Sequence, residues 1–200
     1  MAAYGPEGLP DPYAWPGSHV LKNKWGITDG HDLAVMELSS TRFRIDQLRE
    51  RPIKGKFDLK HLQAIHRHIF QDVYEWAGEL RGGALSKGAN LFAQPEHLTS
   101  YGAKVFGALQ SENCLKGMTR EAFLDRLAHH FGEINALHPF REGNGRALQT
   151  FLSQLSVEAG WELDFTKVDR EKWNDAASKS FSESPRIIRQ LFESLVIASS

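Results

Sequence analysis

The sequence predicts an all-α domain carrying one β-hairpin, on three observations. Apolar residues recur at helical spacing in most segments long enough to test, the period of a helix with one buried face. Residues 80–95 alone break that period, with Gly-rich turns between short apolar pieces, as in a hairpin. The length of 200 residues, 41% of them hydrophobic, fits one domain with a sizeable core. No internal repeat, low-complexity run or candidate linker divides the chain, so a single domain over 1–200 is expected.

In chain order, residues 1–25 read as an extended arm punctuated by Pro6, Pro10, Pro12 and Pro16. Thr28 or Asp29 caps a helix over 31–50, with Leu33, Met36 and Leu38 among its apolar positions. Pro52 and Gly55 mark a loop. Asp58 starts a helix over 58–76, in which Leu62, Ile65, Ile69 and Val73 make a core face, and Gly78 ends it. The hairpin region 80–95 holds Arg81-Gly82-Gly83, Lys87-Gly88 and Asn90-Leu91-Phe92. Pro95-Glu96 restarts a helix over 95–110. Thr119 caps another, which carries Phe123, Leu124, Leu127 and Phe131 to Leu137. Helices over 147–159, 169–179 and 185–196 complete a set of about seven.

Between two of these helices stands His138-Pro139-Phe140-Arg141-Glu142-Gly143-Asn144-Gly145-Arg146. Pro139 disfavours helical geometry at the residue before it. Gly143 and Gly145 let the backbone turn tightly and approach a ligand closely. The next helix then opens with unpaired amides, an anion site reinforced by the positive helix end. Arg146 adds a charge with fork geometry suited to phosphate. Glu142 can hold Mg²⁺, which shares its shell with substrate phosphates. His138 can take a proton near neutral pH. Read by chemistry alone, this is a Mg-nucleotide site with a base beside it.

Composition excludes several other classes. Lys plus Arg is 24 and Asp plus Glu is 25, so no global basic field recruits nucleic acid. No apolar run approaches the roughly 20 residues of a membrane span. The first residues lack the basic start and apolar run of a signal peptide, and Cys114, the one cysteine, has no partner for an internal disulfide. A cytoplasmic protein is expected, with secretion by a route that uses no cleaved signal as the open alternative. Nine histidines invite a metal reading. Yet neither His129 with Glu133 nor His66 with His68 makes the paired histidine spacing of a zinc protease. Cys114 follows Ser111-Glu112-Asn113, and that acidic neighbour does not lower a thiol pKa. No Gly-x-Ser-x-Gly occurs. Trp173 reads as a core residue of a late helix.

Residues 138–146 closely resemble the signature of the Fic family, His-x-Phe-x-Asp/Glu-Gly-Asn-Gly-Arg-x-x-Arg, at nine consecutive positions. The resemblance implies a Fic-fold helical bundle with a β-hairpin flap over the active site. It implies an enzyme that transfers AMP from ATP, with Mg²⁺, to a Ser, Thr or Tyr hydroxyl of a target protein. On that resemblance His138 deprotonates the hydroxyl, Phe140 anchors the loop and Glu142 positions Mg²⁺. Gly143, Asn144 and Gly145 cradle the phosphates, and Arg146 supplies their counter-charge. The signature loop and helix start then cover 138–149. At the last signature position the family has a second arginine, which contacts the terminal phosphate and receives an inhibitory glutamate. This chain has Gln149, which donates a hydrogen bond but carries no charge. Lys87, Gly88, Asn90 and Phe92 resemble the Fic flap, on which a target segment pairs as an added edge strand. A plain surface hairpin is the alternative there.

Many Fic proteins inhibit themselves with a helix bearing Ser or Thr, three residues, then Glu. No glutamate of this chain has Ser or Thr four positions earlier. The resemblance therefore favours the toxin branch, whose inhibitory helix belongs to a separate small antitoxin. The segment Asp11-Pro12-Tyr13-Ala14-Trp15-Pro16-Gly17 also resembles that branch, in which the targets are type II topoisomerases. Two rivals stay open. One is transfer of another phosphate-containing group, such as UMP or phosphocholine. The other is a catalytically weak Fic domain acting as a protein-binding module, for which Gln149 is the support.

Overall fold

Capping side chains, among them Asp29, Asp58, Thr119 and Ser184, start most of the helices. In the computed structural model, which describes residues 3–4, 11–87, 90–182 and 184–198, Asp29 rather than Thr28 caps α1 (Gly30–Glu50). Its carboxylate accepts the His31 and Asp32 amides at 2.8 and 2.9 Å. Asp58 caps α2 (Leu59–Phe70) through the His61 amide. A single 3₁₀ turn at Pro95–His97 leads into α3 (Leu98–Ser111). Thr119 caps α4 (Arg120–Leu137), and α5 (Asn144–Glu158) follows Gly143. Next come α6 (Arg170–Ser182) and α7 (Pro185–Leu195), the latter capped by Ser184.

α4 lies at the centre, packed against α3, α5, α6 and α7, while α2 packs against α1 and α5. Phe123, Phe131, Phe140 and Phe151 are fully buried in one core with the leucines and isoleucines of α2, α4 and α5. Each such side chain contributes roughly 1.5–3 kcal/mol. This core holds the end of α4 and the start of α5 at fixed positions, and the signature loop spans the gap.

Three expectations need correction. α2 ends at Phe70 rather than near Trp76. The Val73 and Tyr74 amides both turn back onto the Phe70 carbonyl, so Val73 is buried from a turn and not from a helix face. On α1 the inward stripe is narrow and contains polar residues. Leu33, Thr41 and Leu48 are buried, whereas Met36 and Leu38 are 46% and 60% exposed. The third concerns strands. The flap consists of β2 (Leu85–Lys87) and β3 (Asn90–Leu91), but β1 (Ala3–Tyr4) of the arm pairs antiparallel with β2, giving sheet order β1-β2-β3. A second sheet pairs β4 (Trp161–Leu163) with β5 (Val196–Ala198). Strands of two or three residues are too short to show a period-two pattern in the sequence. Among the described residues no helix is long and apolar enough to cross a membrane.

Candidate active site

His138 is the C-cap of α4 and sits in the left-handed region, at φ 42° and ψ 60°. Pro139 disfavours the helical alternative at this position. Histidine in this region is uncommon and costs on the order of 1–3 kcal/mol, so the surroundings must hold it there. They do so from two sides. The ring stacks on Phe92 at 3.8 Å between centroids, 13° from parallel. Nδ1 lies 3.3 Å from the Asn135 carbonyl, which assigns the ring proton to Nδ1 and makes Nε2 the basic nitrogen.

The loop after His138 is clasped by its own asparagine. The Phe140 amide donates to Asn144 Oδ1 at 2.9 Å, and Asn144 Nδ2 donates to the Phe140 carbonyl at 2.7 Å. The Asn144 side chain therefore shapes the loop, and its backbone amide is the group left to meet a phosphate. Phe140 is fully buried and stacks on His66 at 3.8 Å. Gly143 has φ +80°, and a Cβ there would lie 2.2 Å from the Phe70 ring. Glycine is thus required twice over. At Gly145 a Cβ would meet only Trp173 Nε1, at 3.9 Å, so no clash within the chain explains that glycine. Trp173 is a core residue, edge-on to Phe131 and Phe165.

Two charged side chains complete the loop. Glu142 is partly exposed, and its Oε1 accepts the Gly143 amide at 2.9 Å. Arg146 lies over the Phe70 ring at 4.6 Å, with one terminal nitrogen 2.6 Å from Glu37 Oε1 and the other 3.2 Å from Thr41 Oγ1. Gln149 follows three residues after Arg146 on α5, partly exposed. Among the described residues no three His, Cys, Asp or Glu side chains form a metal cage. A single loop carboxylate suits Mg²⁺, which takes one or two carboxylates and completes its shell with water and phosphates.

Several residues that build the site escaped the sequence reading. His66 on α2 donates from Nε2 to the Glu142 carbonyl at 2.9 Å and accepts the Gly78 amide at Nδ1, also at 2.9 Å. Burial, with a smaller contribution from the nearby Arg146 charge, holds its pKa down to about 3, although the Glu142 carbonyl opposes the shift. The ring is therefore neutral and serves as a two-ended brace. Its signal was position, since a histidine four residues after Leu62 and three before Ile69 lies on the apolar face of α2. Glu37, Thr41 and Leu48 similarly continue the stripe begun at Leu33. Asp11 accepts two hydrogen bonds from Arg141, at 2.9 and 2.6 Å, so the arm braces the loop.

The flap is tied to the same point. Arg81, buried at its base, donates to the carbonyls of His138 at 2.8 Å, Gly83 at 2.7 Å and Ala93 at 2.5 Å. One guanidinium thus joins both ends of the flap to the catalytic candidate. Phe92 of the predicted flap set reaches His138. The side chains of Lys87 and Asn90 and the whole of Gly88 lie outside the described residues.

The site matches known proteins. Residues 56–155 match the Fic/DOC family. The chain is 40% identical over 175 residues to the protein adenylyltransferase VbhT of Bartonella schoenbuchensis, covering 88% of this chain and 37% of that protein. It therefore spans little more than a third of that relative. It is 41% identical to "Probable protein adenylyltransferase y4lH" of Sinorhizobium fredii, covering 86% of this chain and 88% of that one. Among solved structures, BepC of Bartonella tribocorum with bound AMPPNP superposes with a TM-score of 0.88 at 26% identity, over 94% of this chain and 97% of that one. An N-terminal Fic domain from Bartonella quintana with bound ADP gives 0.88 at 29% identity, over 94% and 95%. The signature, the fold and these matches agree: the chain belongs to the Fic/DOC family.

Proposed function

We propose that this chain is a protein adenylyltransferase, transferring AMP from Mg-ATP to a Ser, Thr or Tyr hydroxyl of a target protein. One observation carries the reading. A base, a carboxylate and a helix N-terminus stand within one short loop that Asn144, His66 and Phe70 hold fixed. The relatives named as adenylyltransferases and the nucleotide-bound structures support the same chemistry.

The roles follow from the groups. The amides of the first turn of α5 have no helical partners and suit phosphate oxygens. Arg146 supplies fixed positive charge beside them. Glu142 would hold Mg²⁺, which when bound draws charge from the phosphates. The target hydroxyl gives its proton to Nε2 of His138 as its oxygen bonds to the α-phosphorus. The bond from that phosphorus to the bridging oxygen breaks, and pyrophosphate leaves with the electron pair. Positioning and electrostatics account for the acceleration. The hydroxyl arrives on a segment paired to the flap beside Phe92.

The test is transfer of label from ATP in the presence of Mg²⁺ to proteins of a bacterial lysate, with purified type II topoisomerase as the first defined target. His138→Ala should lower transfer by about 10²–10⁴-fold while ATP binding persists. The mass added to the target should be that of one adenylate. A uridylate or phosphocholine increment, or full transfer in the alanine variant, overturns the proposal. Restraint by a separate small antitoxin and action in the cytoplasm belong to the same reading. Co-expression of such an inhibitor should abolish the labelled band.

A further inference from the structure

We infer that Glu37 on α1 is a positioning residue for the signature loop: it holds Arg146 off the carboxylate of Glu142 and so keeps that carboxylate available to Mg²⁺. The inference rests on the reading of this loop as a Mg-nucleotide site.

One guanidinium nitrogen of Arg146 lies between two carboxylates. It is 2.6 Å from Glu37 Oε1 and 4.0 Å from Glu142 Oε1. Glu142 and Arg146 are four residues apart across the start of α5, a spacing at which opposite charges readily meet. A guanidinium closed onto Glu142 would compete with a metal ion for the same oxygens. The shorter contact is also the less solvated one, because the Glu37 side chain is 13% exposed and that of Glu142 37%. Shorter distance and weaker screening both favour Glu37 as the partner.

The surroundings of Glu37 are built for this task. Its second oxygen accepts the hydroxyl of Tyr74, a buried residue, so the carboxylate is held at both ends. One turn on, the Thr41 hydroxyl donates to the Glu37 carbonyl at 2.7 Å and offers its lone pair to Arg146 at 3.2 Å. Phe70 supports the guanidinium from one face. Arg146 is thus fixed by α1 and α2 before any ligand arrives. Glu142 keeps its bond to the Gly143 amide, with a partly exposed carboxylate directed by the loop.

The experiment is calorimetric titration of ATP at graded Mg²⁺ concentrations into the wild type, Glu37→Ala and Glu37→Gln, and into Arg146→Gln with and without Glu37→Ala. In Glu37→Ala the Mg²⁺ needed for half-maximal ATP binding should rise by roughly 2- to 5-fold, the strength of the part-exposed ion pair that the released guanidinium would form with Glu142. Glu37→Gln should show a smaller rise, because the amide keeps the Tyr74 contact. It also carries the test if the alanine variant fails to fold. With Arg146→Gln the competing guanidinium is gone, and Glu37→Ala should add nothing. An unchanged Mg²⁺ midpoint in the folded Glu37 variants overturns the inference. So does an equal shift in the Arg146→Gln background, or a transfer rate that rises in Glu37→Ala, which would make Glu37 a brake on Arg146. A wild type that binds ATP equally with and without Mg²⁺ removes the site reading itself, and the inference with it.

Discussion

The signature loop and the flap meet at His138, yet they are built by opposite means. In the loop, side chains hold the backbone: the loop's own Asn144 clasps Phe140, while from the distant α2 His66 grips the Glu142 carbonyl and Phe70 fills the space beneath Gly143. In the flap, strands of two and three residues pair with each other and with β1, and Arg81 ties them down at the base. Strands so short are marginal on their own. The contrast separates two tasks. Catalysis by positioning needs donors fixed before the ligand arrives. A docking edge needs open backbone groups and room for a partner's side chains. Arg81 reconciles them, because the same guanidinium that closes the flap base also donates to the His138 carbonyl.

The contrast is sharpest at two glycines. At Gly143 a methyl group would meet both a left-handed backbone and the Phe70 ring at 2.2 Å, whereas at Gly82 in the flap base nothing lies within 4 Å. Gly143→Ala should therefore cost about 3 kcal/mol from overpacking and backbone strain and abolish ATP binding. Gly82→Ala should stay within about 0.5 kcal/mol, as an unremarkable surface change does. Urea midpoints of the two variants check this. Equal losses would mean that the flap base is as tightly determined as the loop.

A pH profile extends the comparison, because the loop's brace is titratable. The folded-state pKa of His66 is about 3, set mainly by burial, against an ordinary value of 6.5. The unfolded chain therefore binds the proton more tightly between those values. Stability is full above about pH 6.5 and falls as pH drops toward 3, by up to roughly 3 kcal/mol at pH 4 from this group. His61, His68 and His130 are shifted in the same direction by burial and add to the slope. His66→Gln should lower stability at pH 7 and flatten the profile. A profile as steep as the wild type's would place the acid sensitivity elsewhere.

How much of this was legible in the sequence follows from how far apart the interacting residues are. The helices declared themselves through local caps and apolar spacing, as Asp29, Asp58 and Thr119 show. The loop was legible because its glycines, base and carboxylate are neighbours in sequence. Its supports come from residues 130, 109 and 76 positions away, namely Asp11 on Arg141, Glu37 on Arg146 and His66 on Glu142. Nothing local marks such partners, beyond a polar residue placed on an inward helix stripe. β1 on β2 and β4 on β5 were missed for a related reason, since pairing across the chain leaves no period in strands this short.

The smallest expected effect tests which edge of the flap is open. The β2 edge is occupied by β1, with Ala3 opposite Ser86. On the other side Ser86 faces Leu91, and the next residue, Phe92, donates its amide to the Leu85 carbonyl at 3.2 Å. Successive residues of an antiparallel strand alternate in the direction of their amides. The Leu91 amide therefore points away from β2, toward the outer edge, and its side chain is 70% exposed. Leu91→Pro removes a donor that this pairing leaves unused within the flap, and proline is tolerated on an edge strand. Stability and ATP affinity should change little. A target segment adding to this edge should lose one hydrogen bond, about 0.5–1.5 kcal/mol, seen as a KM for the target protein raised about 2- to 10-fold. Leu91→Ala separates the amide from the side chain, because it keeps the donor. If the proline variant modifies its target with unchanged KM, the target does not pair at β3, and displacement of β1 from β2 becomes the route to test.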